Sequence, residues 1–404
     1  MDYMLHCLNC GFEFDETSFC NACPACGGII EPVIEGIKGA TPDWRYETLM
    51  RYHRFLPIRS VESIAGFERT RPSPLIEADV LADKLGFHKL LLKDETVMET
   101  GTMKDREGLL TIYRLMMHKI PGLVIASSGN AGISIAWYAS LMKKARIFLF
   151  LPECSRARMD AAIQRFTSKD VVSVSYVEGS MDEAGDAAKE FAKQEGLPYG
   201  TGFRNYSRRE GVKTLALEYL FEQDKRADWY VQGVAGALAV HAFYKVHQEL
   251  GLRCPKLLGV QPAACSPFVD AYHDHAEELG EKYIPGEPVV VPEAPVLKVR
   301  KPDEAYPIIK KEIDETKGSF EKVSADEIRQ ALRCFYHEPY FLKKYQQSGI
   351  RVGLEASTAL AGVIKLRERN RVKADETVLV NVSGSARPGD IPDDWWDAYE
   401  LCTC

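Results

Sequence analysis

The chain has 404 residues, of which 46% are hydrophobic and 27% are charged, and this composition predicts a folded protein of two domains rather than a disordered chain. A formal net charge of −7 argues against a nucleic-acid partner, because the field of the whole protein would repel phosphate backbones. No apolar run approaches the roughly 20 residues of a membrane span, and the first residues lack the features of a signal peptide, so we expect a cytoplasmic protein with no membrane partner.

Five of the eleven cysteines lie within residues 7–26. Two runs there read Cys-x-x-Cys-Gly, and the tight turns of that spacing bring two thiolates to one Zn²⁺. Cys20 is a rival ligand, because Cys20 and Cys23 form a further Cys-x-x-Cys pair, but no Gly follows it. We predict a zinc ribbon over residues 1–35, with a structural zinc because four thiolates close its coordination sphere. The predicted ligands are Cys7, Cys10, Cys23 and Cys26.

Beyond an irregular stretch at residues 40–75, short apolar runs alternate with helical patterns. This alternation predicts an α/β architecture with mostly parallel sheets. Ser324 and Glu327 have the spacing of a capping box and predict a helix that starts near residue 325. Residues 263–323 give no clear assignment. The predicted strands are 89–93, 123–126, 145–151, 229–232, 256–260 and 377–381, and the predicted helices include 104–118 and 131–143.

Lys104 is the strongest catalytic candidate. It follows a predicted strand and loop and opens a predicted helix, where its amine can be partly buried near a helix N-terminus, a position that suits Schiff-base formation. Taken alone, Lys104 would more often be a solvated lysine beside Asp105. The surrounding segments favour the catalytic interpretation.

Residues 101–106 read Gly-Thr-Met-Lys-Asp-Arg, and a Lys-x-Glu strand precedes them at residues 93–95. The two segments resemble the threonine synthase family of fold-type II pyridoxal-phosphate enzymes, in which the Schiff-base lysine lies in a Gly-Ser-Phe-Lys-Asp-Arg-Gly motif. Thr102 stands for the Ser of that motif and Glu107 for its last Gly. The resemblance implies that Lys104 is the catalytic lysine and that Thr102 binds substrate.

A second loop follows the predicted strand 123–126 and opens a helix, so its backbone N–H groups form a seat for an anion. Read without the family, this loop is as well explained as a helix cap. The resemblance implies that Asn130 lies beside the cofactor and that the substrate carboxylate binds Ser127, Ser128 and Gly129.

Two further segments lie at strand ends. Residues 233–237 join a strand to a helix, and their small side chains let backbone amides approach a phosphate closely. Ser383 follows the strand 377–381, where the family has a hydroxyl that faces the pyridine nitrogen of the cofactor and favours eliminations and replacements over transamination. The resemblance implies that the cofactor phosphate binds Gly233, Val234, Ala235, Gly236 and Ala237.

Four loops in the family's order, together with the ribbon, extend the resemblance over nearly the whole chain. It implies a two-domain fold-type II, tryptophan synthase β-like body over residues 36–404, with a smaller α/β subdomain at about 105–215 inserted in a larger one. It also implies pyridoxal 5′-phosphate as cofactor, an amino acid as substrate, and a homodimer. The expected reaction is elimination or replacement on an O-phosphorylated or similarly activated amino acid, with release of phosphate.

Departures from the family leave the substrate open. Arg208 keeps the guanidinium that would hold an anionic group, but Gly202 and Phe203 occupy the positions of an Asn-Ser pair, and Ala237 replaces an Asn. The motif Arg-Asn-x-x-Arg-Arg-Glu-Gly at residues 204–211 resembles cysteate synthases, which act on O-phosphoserine, more than threonine synthases. A non-catalytic zinc-ribbon binding protein is the alternative from a different class.

Overall fold

The structure is a computed structural model that describes residues 3–60, 68–127, 129–200, 202–222, 226–286 and 304–391, with a few single positions from 294 to 302 and Trp395. It divides into two compact units. The first comprises Met1–Pro72, Lys104–Phe221 and Lys245–Leu252, and the second comprises Ser73–Met103, Glu222–Tyr244 and Arg253–Cys404. Among the described residues, no helix is long and apolar enough to cross a membrane.

Strands and helices alternate along most of the described chain. The strands are β1 (Tyr3–Cys7), β2 (Glu13–Phe14), β3 (Ile30–Ile34), β4 (Leu75–Glu77), β5 (Lys89–Asp94), β6 (Gly122–Ala126), β7 (Arg146–Pro152), β8 (Val172–Val177), β9 (Trp229–Gly233), β10 (Lys256–Pro262), β11 (Ser319–Val323) and β12 (Thr377–Val382). The helices are α1 (Asp79–Leu85), α2 (Lys104–Met117), α3 (Asn130–Met142), α4 (Arg156–Phe166), α5 (Met181–Glu195), α6 (Tyr206–Glu222), α7 (Leu238–Leu250), α8 (Pro267–His273), α9 (Tyr306–Glu315), α10 (Ala325–Phe335), α11 (Pro339–Ser348) and α12 (Leu354–Glu368).

The first unit holds two three-stranded sheets. In the cysteine-rich ribbon, β1 pairs antiparallel with both β2 and β3. The other sheet is parallel, with β7 between β6 and β8, and helices α3 and α4 form the crossovers that parallel strands require. Helix α5 packs against this sheet and begins with a capping box formed by Ser180 and Glu183.

The second unit is built on a six-stranded sheet in the order β11-β10-β9-β12-β5-β4. Strand β4 pairs antiparallel with β5, and the other neighbouring pairs are parallel. Strand β9 is buried along its whole length and helix α12 packs over it, which explains why its sequence is a short continuous run of buried residues rather than an alternating one. Because β9 and β12 are parallel neighbours, the loops that follow them leave the same edge of the sheet.

The α/β prediction with mostly parallel sheets is confirmed. Strand 123–126 is observed as Gly122–Ala126, helix 131–143 as Asn130–Met142 and strand 145–151 as Arg146–Pro152. The predicted capping box at Ser324 is present, with the Glu327 N–H donating to Ser324 Oγ at 3.2 Å. Within 263–323, the described part contains α8, α9 and β11, which the sequence pattern did not assign.

Helix α2 approaches α6 so closely that only glycine fits at Gly211. A Cβ atom added there would overlap the carbonyl oxygen of Arg106 on α2. We expect Gly211→Ala to lower the free energy of unfolding by about 1–3 kcal/mol, the usual cost of overpacking. Urea unfolding would measure the loss. In a matched control, Gly280→Ala adds a methyl group that meets nothing within 4 Å and should be nearly neutral. Equal stability of both variants would show that the helices separate without cost.

Candidate active site

Four cysteines of the ribbon converge on one point. The sulfur atoms of Cys7, Cys10, Cys23 and Cys26 all lie within 4.8 Å of one another. Two of the separations, 3.5 Å for Cys7 to Cys26 and 3.8 Å for Cys10 to Cys23, are near the roughly 3.8 Å edge of a tetrahedron with Zn–S bonds of about 2.3 Å. The donor set therefore fits a tetrahedral metal ion such as Zn²⁺.

The backbone around these cysteines forms two matching turns. Gly11 donates its N–H to the Cys7 carbonyl at 2.9 Å, and Gly27 donates to the Cys23 carbonyl at 2.8 Å. Both glycines have φ near +70°, the left-handed conformation that tight turns require. Burial alone would raise the pKa of Cys7, but backbone N–H groups and neighbouring thiols outweigh it and lower the pKa to about 6. Backbone N–H groups directed at the Cys7 sulfur favour the thiolate form that binds metals.

Cys20 lies outside this cluster. Burial raises the pKa of its thiol to about 11, so that it is protonated at neutral pH. Its carbonyl oxygen instead accepts a hydrogen bond from Arg114.

A buried carboxylate joins the ribbon to helices α2 and α6 of the same unit. Glu16 is 1% exposed, and its carboxylate accepts hydrogen bonds from Arg114 Nε and Tyr3 OH, both at 2.8 Å, and from Tyr206 OH. His118 Nε2 lies 3.1 Å from Glu16 Oε2. Burial alone would raise the pKa of Glu16, but these partners outweigh it and lower the pKa to about 2.

Two arginines at the start of α6 also bind the ribbon. Arg204 donates to the Gly27 carbonyl at 2.7 Å, and Arg209 donates to the Ile30 carbonyl at 2.6 Å. Arg209 is almost completely buried, so its guanidinium is held inside the protein. The two side chains therefore have structural roles.

Lys104 is the first residue of α2, as the sequence predicts, and its side chain is 29% exposed. Its Nζ lies 2.5 Å from Glu107 Oε1, so the amine is paired with a carboxylate rather than fully solvated. Glu107 is completely buried and also accepts from Arg208, with Nε at 2.8 Å and Nη2 at 2.7 Å from Oε2. The structure thus brings Lys104 and Arg208 together through a carboxylate to which the sequence assigned no role.

The predicted anion seat lies at the start of α3, a helix that packs against α2. Ser134 Oγ donates to the Lys104 carbonyl at 2.7 Å, which fixes the first turns of α2 and α3 side by side. Ser127 Oγ accepts from the N–H groups of Gly129 and Gly132 at 3.2 and 3.1 Å, so Ser127 caps the turn that begins α3. Asn130 is buried at the first position of the helix. The predicted substrate residue Ser128 lies outside the described residues.

In the second unit, residues 233–237 form the loop between β9 and α7. A Cβ atom at Gly233 would overlap the carbonyl oxygen of Glu355, so the chain can pass there only as glycine. Within the described chain, the N–H groups of Ala235, Gly236 and Ala237 have no hydrogen-bond acceptor. Three consecutive free donors before a helix of 13 residues form a cradle that fits a phosphate group.

Ala237 closes this loop in a left-handed conformation, with φ of 56°. For a residue with a Cβ atom that conformation costs about 1–2 kcal/mol, whereas Asn tolerates it better. The replacement of the family's Asn by Ala237 therefore leaves backbone strain in the loop as well as removing a donor.

Ser383 follows β12 at the same sheet edge, and it is buried. Its carbonyl accepts from the Met103 N–H at 2.9 Å, while its hydroxyl has no partner among the described residues. Thr102, which is also buried, forms an isolated bridge with Gly384. The segment that leads into Lys104 is thus hydrogen-bonded to the segment that carries Ser383.

Asn381, on β12, is a buried residue that the sequence interpretation missed. Its Nδ2 donates to Gln232 Oε1 at 2.7 Å, and Gln232 Nε2 donates to the Gly233 carbonyl at 2.9 Å. These bonds hold the ends of β9 and β12 together at the edge where both loops leave. In the sequence, Asn381 could have been noticed as a polar residue within an otherwise mostly apolar strand.

Known proteins resemble this chain over most of its length. A family model described as pyridoxal-phosphate dependent enzyme matches residues 67–384. The chain belongs to this family. A threonine synthase of Methanocaldococcus jannaschii is 27% identical to it, with 94% of this chain and 91% of the relative aligned. A cysteate synthase of Methanococcoides burtonii is 24% identical, over 95% of this chain and 89% of the relative.

Among solved structures, maize serine racemase superposes with a TM-score of 0.64 at 15% identity, over 82% of this chain and 90% of that chain. The fold of this pyridoxal-phosphate dependent enzyme is therefore the fold-type II architecture predicted from the sequence, and the resemblance of the chain to that class is confirmed. The chemistry of the loop donors and of Ser383 fits the phosphate and the ring nitrogen of the cofactor.

Glu16 provides a test of how the ribbon is attached. Its pKa falls from an ordinary 4.5 to about 2 in the folded protein, so its stabilising charge is fully present above about pH 4.5 and is lost as the pH falls toward about 2. Removing that charge leaves Arg114 buried without its partner. We expect Glu16→Gln to lower stability by about 3–5 kcal/mol at pH 7 and to flatten the acid dependence in that window.

The measurement is thermal unfolding of wild type and Glu16→Gln across this pH range, and the difference between them cancels contributions that both share. Glu13→Gln, at an exposed position of the same ribbon, is the control and should behave like wild type. Parallel pH profiles for wild type and Glu16→Gln would contradict the assignment.

Proposed function

We propose that this enzyme catalyses elimination or replacement of an activating group on the side chain of an amino acid, with O-phosphorylated or similarly activated amino acids as substrates. The likeness to threonine and cysteate synthases supports this reaction class. The observation that carries the proposal is the Lys104–Glu107–Arg208 arrangement, in which the candidate cofactor lysine and a guanidinium suited to an anionic group share one carboxylate.

Lys104 is the residue proposed to hold the cofactor and to move the proton at the substrate Cα atom. Its place at the start of α2, with a side chain that is partly exposed, supports both roles. Pyridoxal phosphate, when bound, supplies a conjugated ring that stores the electron pair left at Cα.

The remaining contacts are proposed residue by residue. The substrate carboxylate binds the turn at residues 127–129, beside Asn130, where the start of α3 favours an anion. Residues 233–237 hold the cofactor phosphate, with the free N–H groups of residues 235–237 as its donors, and the Ser383 hydroxyl faces the ring nitrogen. Thr102 and Arg208 orient the substrate side chain.

The motif at residues 204–211 that resembles cysteate synthases does little to identify the substrate. Arg204 and Arg209 bind ribbon carbonyl groups, so two arginines of that motif have a structural explanation. Arg208 remains as the residue of that motif available to a ligand. We further propose zinc as the ribbon metal, a homodimeric assembly and a cytoplasmic location.

A borohydride test examines the role of Lys104. Reduction should fix pyridoxal phosphate covalently to the lysine that holds it, and peptide mass spectrometry should place the label on Lys104. Lys104→Ala should lose the label, whereas Lys169→Ala, a change at an exposed lysine of the same unit, should keep it. A label on another lysine, or an unlabelled protein that takes up no cofactor, would overturn the assignment.

The substrate class is tested by two screens. The first measures phosphate release from O-phosphohomoserine, O-phosphoserine and O-phosphothreonine, each with and without sulfite. The second measures carboxylic-acid release from O-acyl esters of homoserine, serine and threonine. Release from at least one activated amino acid, lost in Lys104→Ala, is the expected result. No release from any of them by fully loaded enzyme would contradict the proposed reaction.

Metal analysis tests the ribbon. We expect about one zinc per chain, falling by most of its value in Cys10→Ser but not in Cys20→Ser, because Cys20 lies outside the sulfur cluster. Less than about half an equivalent in wild type, or equal losses in the two variants, would count against the four-ligand assignment.

A further inference from the structure

Glu107 is a buried acid next to the candidate cofactor lysine. In the Lys-Asp-Arg segment it occupies the position at which the related motif has glycine, and its side chain is fully buried. Burial alone would raise the pKa of its carboxyl, but the charges and hydrogen bonds of Lys104 and Arg208 outweigh this and hold the pKa below its usual range. Glu107 is therefore ionised at neutral pH.

Arg208 spends most of its hydrogen-bonding capacity on this carboxylate. Nε and Nη2 both donate to Glu107 Oε2, at 2.8 and 2.7 Å. Its third nitrogen, Nη1, makes no hydrogen bond within the described residues and lies 3.8 Å from the place of a Cβ atom at Gly202. Gly202 is exposed, so Nη1 lies beside a residue at the protein surface.

The charge of this subsite follows from the pair. Glu107 contacts both Lys104 and Arg208, but in the loaded enzyme the amine of Lys104 is committed to the cofactor. The remaining pair of Arg208 and Glu107 is formally neutral, so Arg208 offers the N–H donors of Nη1 but no net positive charge. A phosphate monoester is a dianion at neutral pH, since its second pKa is near 6. Bringing two negative charges to Nη1 would set them against the Glu107 carboxylate, and like charges at close range in a buried site repel strongly.

We propose that Glu107 determines substrate specificity by neutralising Arg208, so that the enzyme selects activating groups of at most one negative charge, such as O-acyl esters, over phosphate dianions. This inference rests on the proposed elimination or replacement chemistry. Phe203 points the same way, because it stands where the related motif has a polar side chain that would add a donor for a phosphate.

The test uses two anion probes of similar size, sulfate as a dianion and methanesulfonate as a monoanion. Binding to the pyridoxal-phosphate-loaded enzyme is measured by calorimetry at constant ionic strength, so that screening is equal in all titrations. Wild type should bind sulfate no more tightly than methanesulfonate. Glu107→Gln should tighten sulfate by roughly tenfold or more while changing methanesulfonate by less than about threefold.

Two controls make the result specific. Glu195→Gln removes one negative charge from an exposed position of the same unit and should leave both affinities unchanged. Glu107→Gln combined with Arg208→Gln restores the charge balance and should return sulfate binding to the wild-type level. A gain in Glu107→Gln that survives the loss of Arg208 would place the effect elsewhere and overturn the proposal.

If Glu107→Gln fails to fold, as judged by its cofactor absorbance and unfolding temperature, the wild-type affinities alone decide whether the site disfavours dianions. Sulfate bound at least about tenfold more tightly than methanesulfonate by wild type would overturn the inference, as would folded Glu107→Gln with unchanged affinities. If neither protein binds sulfate, the inference also fails.

Failure of the proposed reaction gives a different result. In that case no activated amino acid releases its group, while the two probes still report the charge that the Arg208 subsite accepts. If the reaction holds and the inference fails, phosphate esters react at least as well as acyl esters in wild type, and Glu107→Gln does not change their ratio.

Discussion

Burial of charged side chains on α2 is the constraint on which the first unit depends. Arg106, Glu107 and Arg114 lie on this helix and are all almost completely buried. A charge in such surroundings is tolerated only when an opposite charge and hydrogen bonds accompany it. Each of the three therefore fixes a neighbouring element in place, since a shift of that element would leave a buried charge without its partner.

The partners of the two arginines lie on α6 and in the ribbon. Arg106 donates to Thr214 at 2.7 Å and to Glu218 at 3.0 Å, both on α6, while Arg114 binds Glu16 in the ribbon. Helix α6 is thus held against α2, and the ribbon is held against both helices. Such pairs add less net stability than apolar packing of equal size would. What they provide is a defined position for the first turn of α2, where Lys104 lies.

The sequence predicted those features that follow from local patterns. Apolar runs of four to seven residues marked the buried strands, and the Cys-x-x-Cys-Gly turns marked the sulfur cluster, because both depend on residues close together in the chain. Pairing between residues 90 or more apart leaves no such pattern. Hence Glu16 and its contact with Arg114 were not foreseen, and the link from Glu107 to Arg208 was visible only as an unexplained exchange within a motif.

The exchange of the motif's glycine for Glu107 is understood through the contacts of Glu107 with Lys104 and Arg208. A carboxylate placed beside Lys104 without Arg208 would leave the lysine amine strongly paired. Arg208 is a second cation that shares this carboxylate, and Arg208 is left paired with it when Lys104 holds the cofactor. The same carboxylate therefore has two effects. It allows Arg208 to be buried in the first unit, and it sets how much charge a ligand may bring to Arg208. Because the structural and the selective effect reside in one side chain, the substrate class cannot change at this position without a change in how α2 and α6 are held together.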